Sequence, residues 1–256
     1  MAFKIAVDAG HYYGEPGRRC LKSVDTNETR EWTMNDRVAN YFMLAASEYK
    51  DVELLRVDDP TGKKNISIYD RATKANSWGA DLYLSFHHDA GINGGKGGGI
   101  TTFAYKNGGK AEKYRNAIYD AVIAAGGLKG NRAEPKKTAN FVVLKNTVAP
   151  AVLTEYGFMD SVTDIPYIIT SAYSKKVGYA TMEGVAKIAN LKKKEETKVA
   201  KTKFKDEAKI PSWALDAVKN VSDDGIMLGD DKGNFRPNDF ITRAEFAVAI
   251  DRLRKL

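Results

Sequence analysis

The 256-residue sequence predicts an α/β fold, an open twisted sheet of about six strands flanked by helices, followed by a small, mainly helical C-terminal unit. Three observations carry this prediction. Short apolar runs alternate with segments of helical period up to about residue 191. A lysine-rich stretch then interrupts the pattern, and a last segment of about fifty residues has helical patterns of its own.

In chain order, the strands are expected at Phe3–Val7, Val52–Val57, Leu82–Phe86, Gly99–Tyr105, Phe141–Leu144 and Ala151–Thr154. Between them, Val38, Tyr41, Phe42 and Ala45 fall at helical spacing, as do Tyr114, Ile118, Ala121 and Val122. Val177, Thr181, Gly184, Val185 and Ile188 give a further long helix the same stripe, and all three stripes read as core packing. The glycine-rich stretch Gly91–Gly99 and the stretch Gly126–Lys137 have no apolar period and read as mobile surface loops. Residues 192–203 hold six Lys and two Glu and read as a solvated linker. From Phe204 onward, helical patterns occur around Trp213–Val221 and Arg243–Leu253, a core small enough to lean on a partner, a repeat or a ligand.

Composition excludes some classes of function. With 43% apolar and 29% charged residues and no run of ~20 apolar residues, the chain is not expected to insert in a membrane. Its N-terminus turns polar at Asp8, too early for a signal peptide, and reads as a first strand. Cys20 is the sole cysteine, so an intramolecular disulfide or a cysteine-based zinc site is ruled out, and any metal falls to His, Asp or Glu. The net charge of +7 suits nucleic acid or an anionic cell wall. No aromatic residues interleave with the lysines of the linker, which argues against nucleic acid as a partner.

The three histidines, His11, His87 and His88, each follow a predicted strand, and Glu155 follows another. Residues beyond the carboxyl ends of strands in an open α/β sheet converge on a crevice, so two imidazoles and a carboxylate there form a candidate zinc site with an open position.

The motifs around these residues are more specific. Asp8-Ala9-Gly10-His11, Glu31 with Asn35, Arg71 with Ala75-Asn76, Ala80 through His87, and Pro150 through Phe158 resemble, in order and spacing, the zinc N-acetylmuramoyl-L-alanine amidases of the Amidase_3 family. The resemblance spans nearly all of residues 1–191. It implies His11, Glu31 and His87 as zinc ligands and Glu155 as the catalytic carboxylate, which takes a proton from water and returns it to the leaving L-alanine amine. The substrate so implied is peptidoglycan, cut between N-acetylmuramic acid and the stem peptide.

This chain departs from the family in two places. Tyr12-Tyr13 stand where the family usually has glycine, and Ser85-Phe86-His87-His88-Asp89-Ala90 stands in place of the usual Ser-Ile-His-Ala-Asn-Ala. His88 therefore competes with His87 as a ligand, although neighbours along a strand point to opposite faces. Glu28 competes with Glu31, and Asn35, four residues after Glu31, favours the latter. Arg71 and Asn76 are expected to tie a helix to neighbouring loops, and Asp164 to cap the next helix. Trp32 and Tyr156 read equally as groove lining or as ordinary packing.

Further on, Phe204-Lys205-Asp206, Trp213-Ala214, Gly225-Ile226, Gly229, Gly233 through Pro237, and Ile241 through Glu245 resemble one S-layer homology motif. The resemblance implies binding to secondary cell-wall polysaccharide bearing pyruvyl carboxylates, with Arg243 as first candidate and Arg236 as second. Thr242 and Glu245 also form a capping box. Such motifs commonly work in threes, and a single copy invites self-association.

The favoured reading is a wall-lytic amidase, endolysin-like or autolysin-like, made in the cytoplasm and acting at the bacterial cell wall. The competing readings are a non-catalytic wall-binding or S-layer-associated protein, and a zinc hydrolase of another peptide amide.

Overall fold

The computed structural model describes residues 2–194 and 202–255 of a chain that divides into two units, Met1–Lys193 and Lys194–Leu256. Most of the lysine-rich stretch, residues 195–201, lies outside the described residues. Lys192 and Lys193 belong to the first unit, since the Lys50 amide donates to Lys192 O at 2.9 Å and Lys193 Nζ pairs with Glu48 at 3.3 Å.

The first unit is built on a six-stranded mixed sheet of β1 (Phe3–Ala9), β2 (Val52–Arg56), β3 (Leu82–Asp89), β4 (Thr101–Ala104), β5 (Lys136–Thr138) and β6 (Ala151–Phe158), in the order β2-β1-β3-β6-β4-β5. Neighbours are parallel except β4 and β6, which run antiparallel. Side chains alternate across the sheet. Ile5, Val7, Leu84, Phe86, Val152 and Tyr156 pack under the helices α1 (Glu31–Ala46), α3 (Gly109–Ala124) and α6 (Ser171–Ala189), whereas Ala6, Tyr83, Ala151 and Leu153 face α2 (Ile68–Trp78) and α4 (Val142–Asn146).

Five expected strands are found, and the sixth is a correction. Phe141–Leu144 leads into α4, where Val143 and Leu144 bury against the sheet. The edge strand is instead Lys136–Thr138, which lies at the end of a stretch read as loop and pairs with β4 through Phe103 and Lys137. A run of four apolar residues fits a strand or a helical turn equally, and burial decides between them.

The glycine-rich stretch is tied down at both ends. Asp160 Oδ2 accepts the amides of Gly91, Ile92 and Asn93 at 2.7–2.9 Å, and Asp164 Oδ2 accepts those of Gly99 and Phe158 at 2.7 and 3.0 Å. Asp164 stands at the N-cap of α5 (Ile165–Ile168) without capping it, which corrects the expected role: the carboxylate is spent on the loop. Asn76 ties α2 to the end of α4 and the loop after it, donating to Asn146 O and accepting from the Val148 amide.

The second unit holds two 3₁₀ turns, then α7 (Leu215–Asp223) and α8 (Arg243–Leu253). Phe204, Ile210, Leu215 and Val218 form its small core, with Phe235 packed against them. The Thr242–Glu245 capping box is present at the start of α8.

Candidate metal centre

At the carboxyl edge of the sheet, β1 ends on Ala9-Gly10-His11. His11 takes a left-handed backbone (φ +64°), a strained conformation for a residue with a Cβ. Arg71 holds it there. From one buried guanidinium, Nη2 donates to His11 O at 2.7 Å, and Nη1 donates to Ala9 O at 2.9 Å and Asp8 Oδ1 at 2.7 Å. Asp8 also accepts from Tyr83 and Ser85, at 2.9 and 2.7 Å. Burial raises the Asp8 carboxyl, but Arg71, His87 and Ser85 outweigh it and hold the group below its usual range. Gly10 is required by close approach, because a Cβ there would lie 2.0 Å from the His87 ring.

Glu31 opens α1 and is wholly buried. Its Oε1 lies 3.2 Å from His87 Nδ1 and its Oε2 lies 3.4 Å from His11 Nε2. One ligand atom from each of the three residues lies within 4.8 Å of the others, close enough for the three to share one divalent ion. Oε2 of Glu31 is buried and receives no hydrogen bond of good geometry. A buried carboxylate oxygen without a donor is costly unless a cation meets it, so two imidazoles around it fit a divalent metal. Burial pushes the Glu31 pKa up, but contacts with His11 and His87 outweigh it and hold the group ionised far below its usual range.

Structure separates the competing residues. His87 and His88 lie within β3 rather than beyond it, on opposite faces. His87 faces the site beside Glu155, its register partner on β6. His88 turns toward the helix side, where burial depresses its pKa to about 3. Glu28 faces Arg19 and Lys22 at 3.6 and 3.7 Å, away from the cluster. Tyr156 is core, its hydroxyl bonded to Thr181 at 2.8 Å. Trp32 packs over Gly62.

Glu155 is a second, partly buried carboxyl, and its Oε2 is also buried without a partner. Burial raises its pKa well above the ordinary range, the charges of Glu31 and Asp89 raise it further, and Arg18 opposes them. Arg18 was not legible as a site residue. Its backbone O accepts the Glu31 amide at 3.0 Å and its half-exposed guanidinium lies 3.8 Å from Glu31 Oε2, contacts that only the folded chain creates.

Residues 5–187 match the profile of the Amidase_3 family, N-acetylmuramoyl-L-alanine amidase. The chain belongs to this family of peptidoglycan hydrolases. Residues 203–247 match the S-layer homology domain. Among curated relatives, the chain is 32% identical over 232 residues to a sporulation-specific N-acetylmuramoyl-L-alanine amidase of Bacillus subtilis (strain 168), covering 89% of this chain and 85% of that one. It is 34% identical over 191 residues to an endolysin of Bacillus phage SPP1, covering 72% and 67%. The fold is also that of an N-acetylmuramoyl-L-alanine amidase from Clostridium difficile 630, with a TM-score of 0.65 at 24% identity over 74% of this chain and 97% of that one. An amidase of this family with an S-layer homology domain is a wall-associated hydrolase, and among the described residues no helix is long and apolar enough to cross a membrane.

Proposed function

We propose that this chain cleaves the amide between N-acetylmuramic acid and the L-alanine of the stem peptide with zinc held by His11, Glu31 and His87, and with Glu155 as the proton-transferring carboxylate. The observation that carries the proposal is the buried Glu31 carboxylate set between two imidazoles, one oxygen without a hydrogen bond, beside the partly buried Glu155 carboxyl. A bound zinc ion supplies Lewis-acid polarisation of the scissile carbonyl and acidifies water.

The chain's own residues do the rest. Positive charge at the ligand cluster favours the ionised form of Glu155 and opposes the burial and neighbouring carboxylates that raise its pKa. Ionised, Glu155 removes a proton from the attacking water. Once the C–N bond breaks it delivers that proton to the departing L-alanine nitrogen. Arg71 and Asp8 keep His11 in place throughout.

The test is digestion of purified Gram-positive walls with and without chelator. Free L-alanine amino termini that vanish with chelator and return with added zinc support the reading; new reducing sugar ends sink it.

For the chain as a whole we propose residues 1–193 as the catalytic domain, 194–203 as a tether and 204–256 as a module for secondary cell-wall polysaccharide. Arg243 is exposed in the first turn of α8 and makes no hydrogen bond or ion pair among the described residues, which leaves its guanidinium open to a carboxylate. Arg236 is engaged already, 2.9 Å from Glu245 and within 4 Å of Asp230 and Asp239, and ranks second. A groove of about 700 Å³, lined by Leu228, Phe235, Ile241 and Val248 among others, leaves apolar surface open beside α8, which supports self-association through this unit. Removing residues 204–256 should weaken sedimentation with intact walls while sparing hydrolysis of soluble fragments; unchanged sedimentation would refute the tether.

A further inference from the structure

We infer that His88, on the opposite face of β3 from the ligand His87, is a positioning residue: through the Asn35 amide it sets which oxygen of Glu31 is left for the metal. The inference rests on the zinc reading of the site. Asn35 is fully buried, one turn of α1 beyond Glu31. Its Nδ2 donates to Gly10 O at 3.1 Å and to Glu31 Oε1 at 3.3 Å, and its Oδ1 faces His88 Nδ1 at 2.8 Å.

That pattern admits one assignment of protons. Both partners of Nδ2 are acceptors, so a flipped amide would set an oxygen against a carbonyl and a carboxylate. Oδ1 must then accept, and His88 Nδ1 carries the hydrogen. His88 acts on the same carboxylate a second time through its backbone, whose amide donates to Glu31 Oε1 at 3.3 Å. Oε1 therefore meets Asn35, the His88 amide and His87, while Oε2 meets no donor in hydrogen-bond geometry. The asymmetry turns Oε2 toward His11 Nε2 at 3.4 Å, with the Arg18 guanidinium 3.8 Å away, and His88 stabilises that orientation from behind. Partners of this kind, which orient a metal ligand without touching the metal, typically change affinity by 10–100-fold when removed.

The experiment measures zinc affinity of the full chain by competition with a chromophoric chelator. His88→Leu removes the donor. His88→Asn keeps an N–H at the place of Nδ1. We expect His88→Leu to weaken zinc by about tenfold or more and His88→Asn to stay within about threefold of wild type. In an Asn35→Ala background, His88→Leu should have no further effect, because the pathway it acts through is already gone. Equal losses in the two His88 variants, or a His88→Leu affinity within about threefold of wild type, would overturn the inference. Where circular dichroism shows His88→Leu unfolded, His88→Asn decides alone: affinity kept supports the role, and a tenfold loss rejects it. A wild-type chain that binds no zinc sinks the zinc reading itself.

Discussion

The two units treat apolar surface in opposite ways. In the first, α1 and α6 close over the sheet, and α6 alone buries ten of its nineteen residues, from Tyr173 to Ala186. In the second, α8 buries none of its eleven, and Phe240, Phe246 and Val248 stand in solvent. Residues that must meet at a metal within tenths of an ångström need supports locked by packing, and the sheet edge provides them. A unit whose task is attachment keeps an open face for what it attaches to.

The contrast sets the order of the expected effects. Asp8→Ala leaves the Arg71 guanidinium buried without its counter-charge and should cost about 3–5 kcal/mol, read as a large drop in Tm. Phe42→Ala opens a cavity between α1 and the sheet and should cost about the same, near 3–5 kcal/mol. A loss below about 1 kcal/mol in either variant would show that the first unit is looser than its packing implies.

A smaller effect comes from pH. His88 has a folded-state pKa near 3 against an ordinary 6.5, so as pH falls the unfolded chain takes up the proton first. Its contribution to stability is full above about pH 6.5 and declines toward pH 3, by about 1.4 kcal/mol per unit. Glu155, whose pKa burial raises, contributes with the opposite sign, so the slope is read as a difference: in urea unfolding of metal-free protein at pH 7, 6 and 5, the stability gap between wild type and His88→Asn should follow it. Smallest of all, Phe240→Ala in the second unit should change stability by no more than about 0.5 kcal/mol, because its side chain is already in solvent. A cost like that of Phe42→Ala would mean that the open face is covered in solution.

Much of the fold was legible because burial writes a period into the sequence. The apolar runs Phe3–Val7 and Leu82–Phe86, packed on both faces, and the stripes of α1, α3 and α6 are burial made visible. The edge strand Lys136–Thr138 carried no such mark: exposed on one side and made of polar residues, it is held by pairing with β4. His11, His87 and Glu155 stood out as residue types beside strand ends, and Glu31 through the family resemblance. The network behind them did not, since Asn35 and His88 meet across 53 positions and Arg71 reaches His11 across 60. No local pattern records such contacts.

Glu155→Gln offers the most direct test of the central claim, assayed in one preparation for bound zinc and for release of L-alanine amino termini from walls, beside His11→Ala. The account predicts about one zinc per chain in wild type and Glu155→Gln, with hydrolysis in Glu155→Gln lowered by about 10²–10⁴-fold, and little zinc in His11→Ala. Full hydrolysis by Glu155→Gln, or undiminished zinc in His11→Ala, would contradict it.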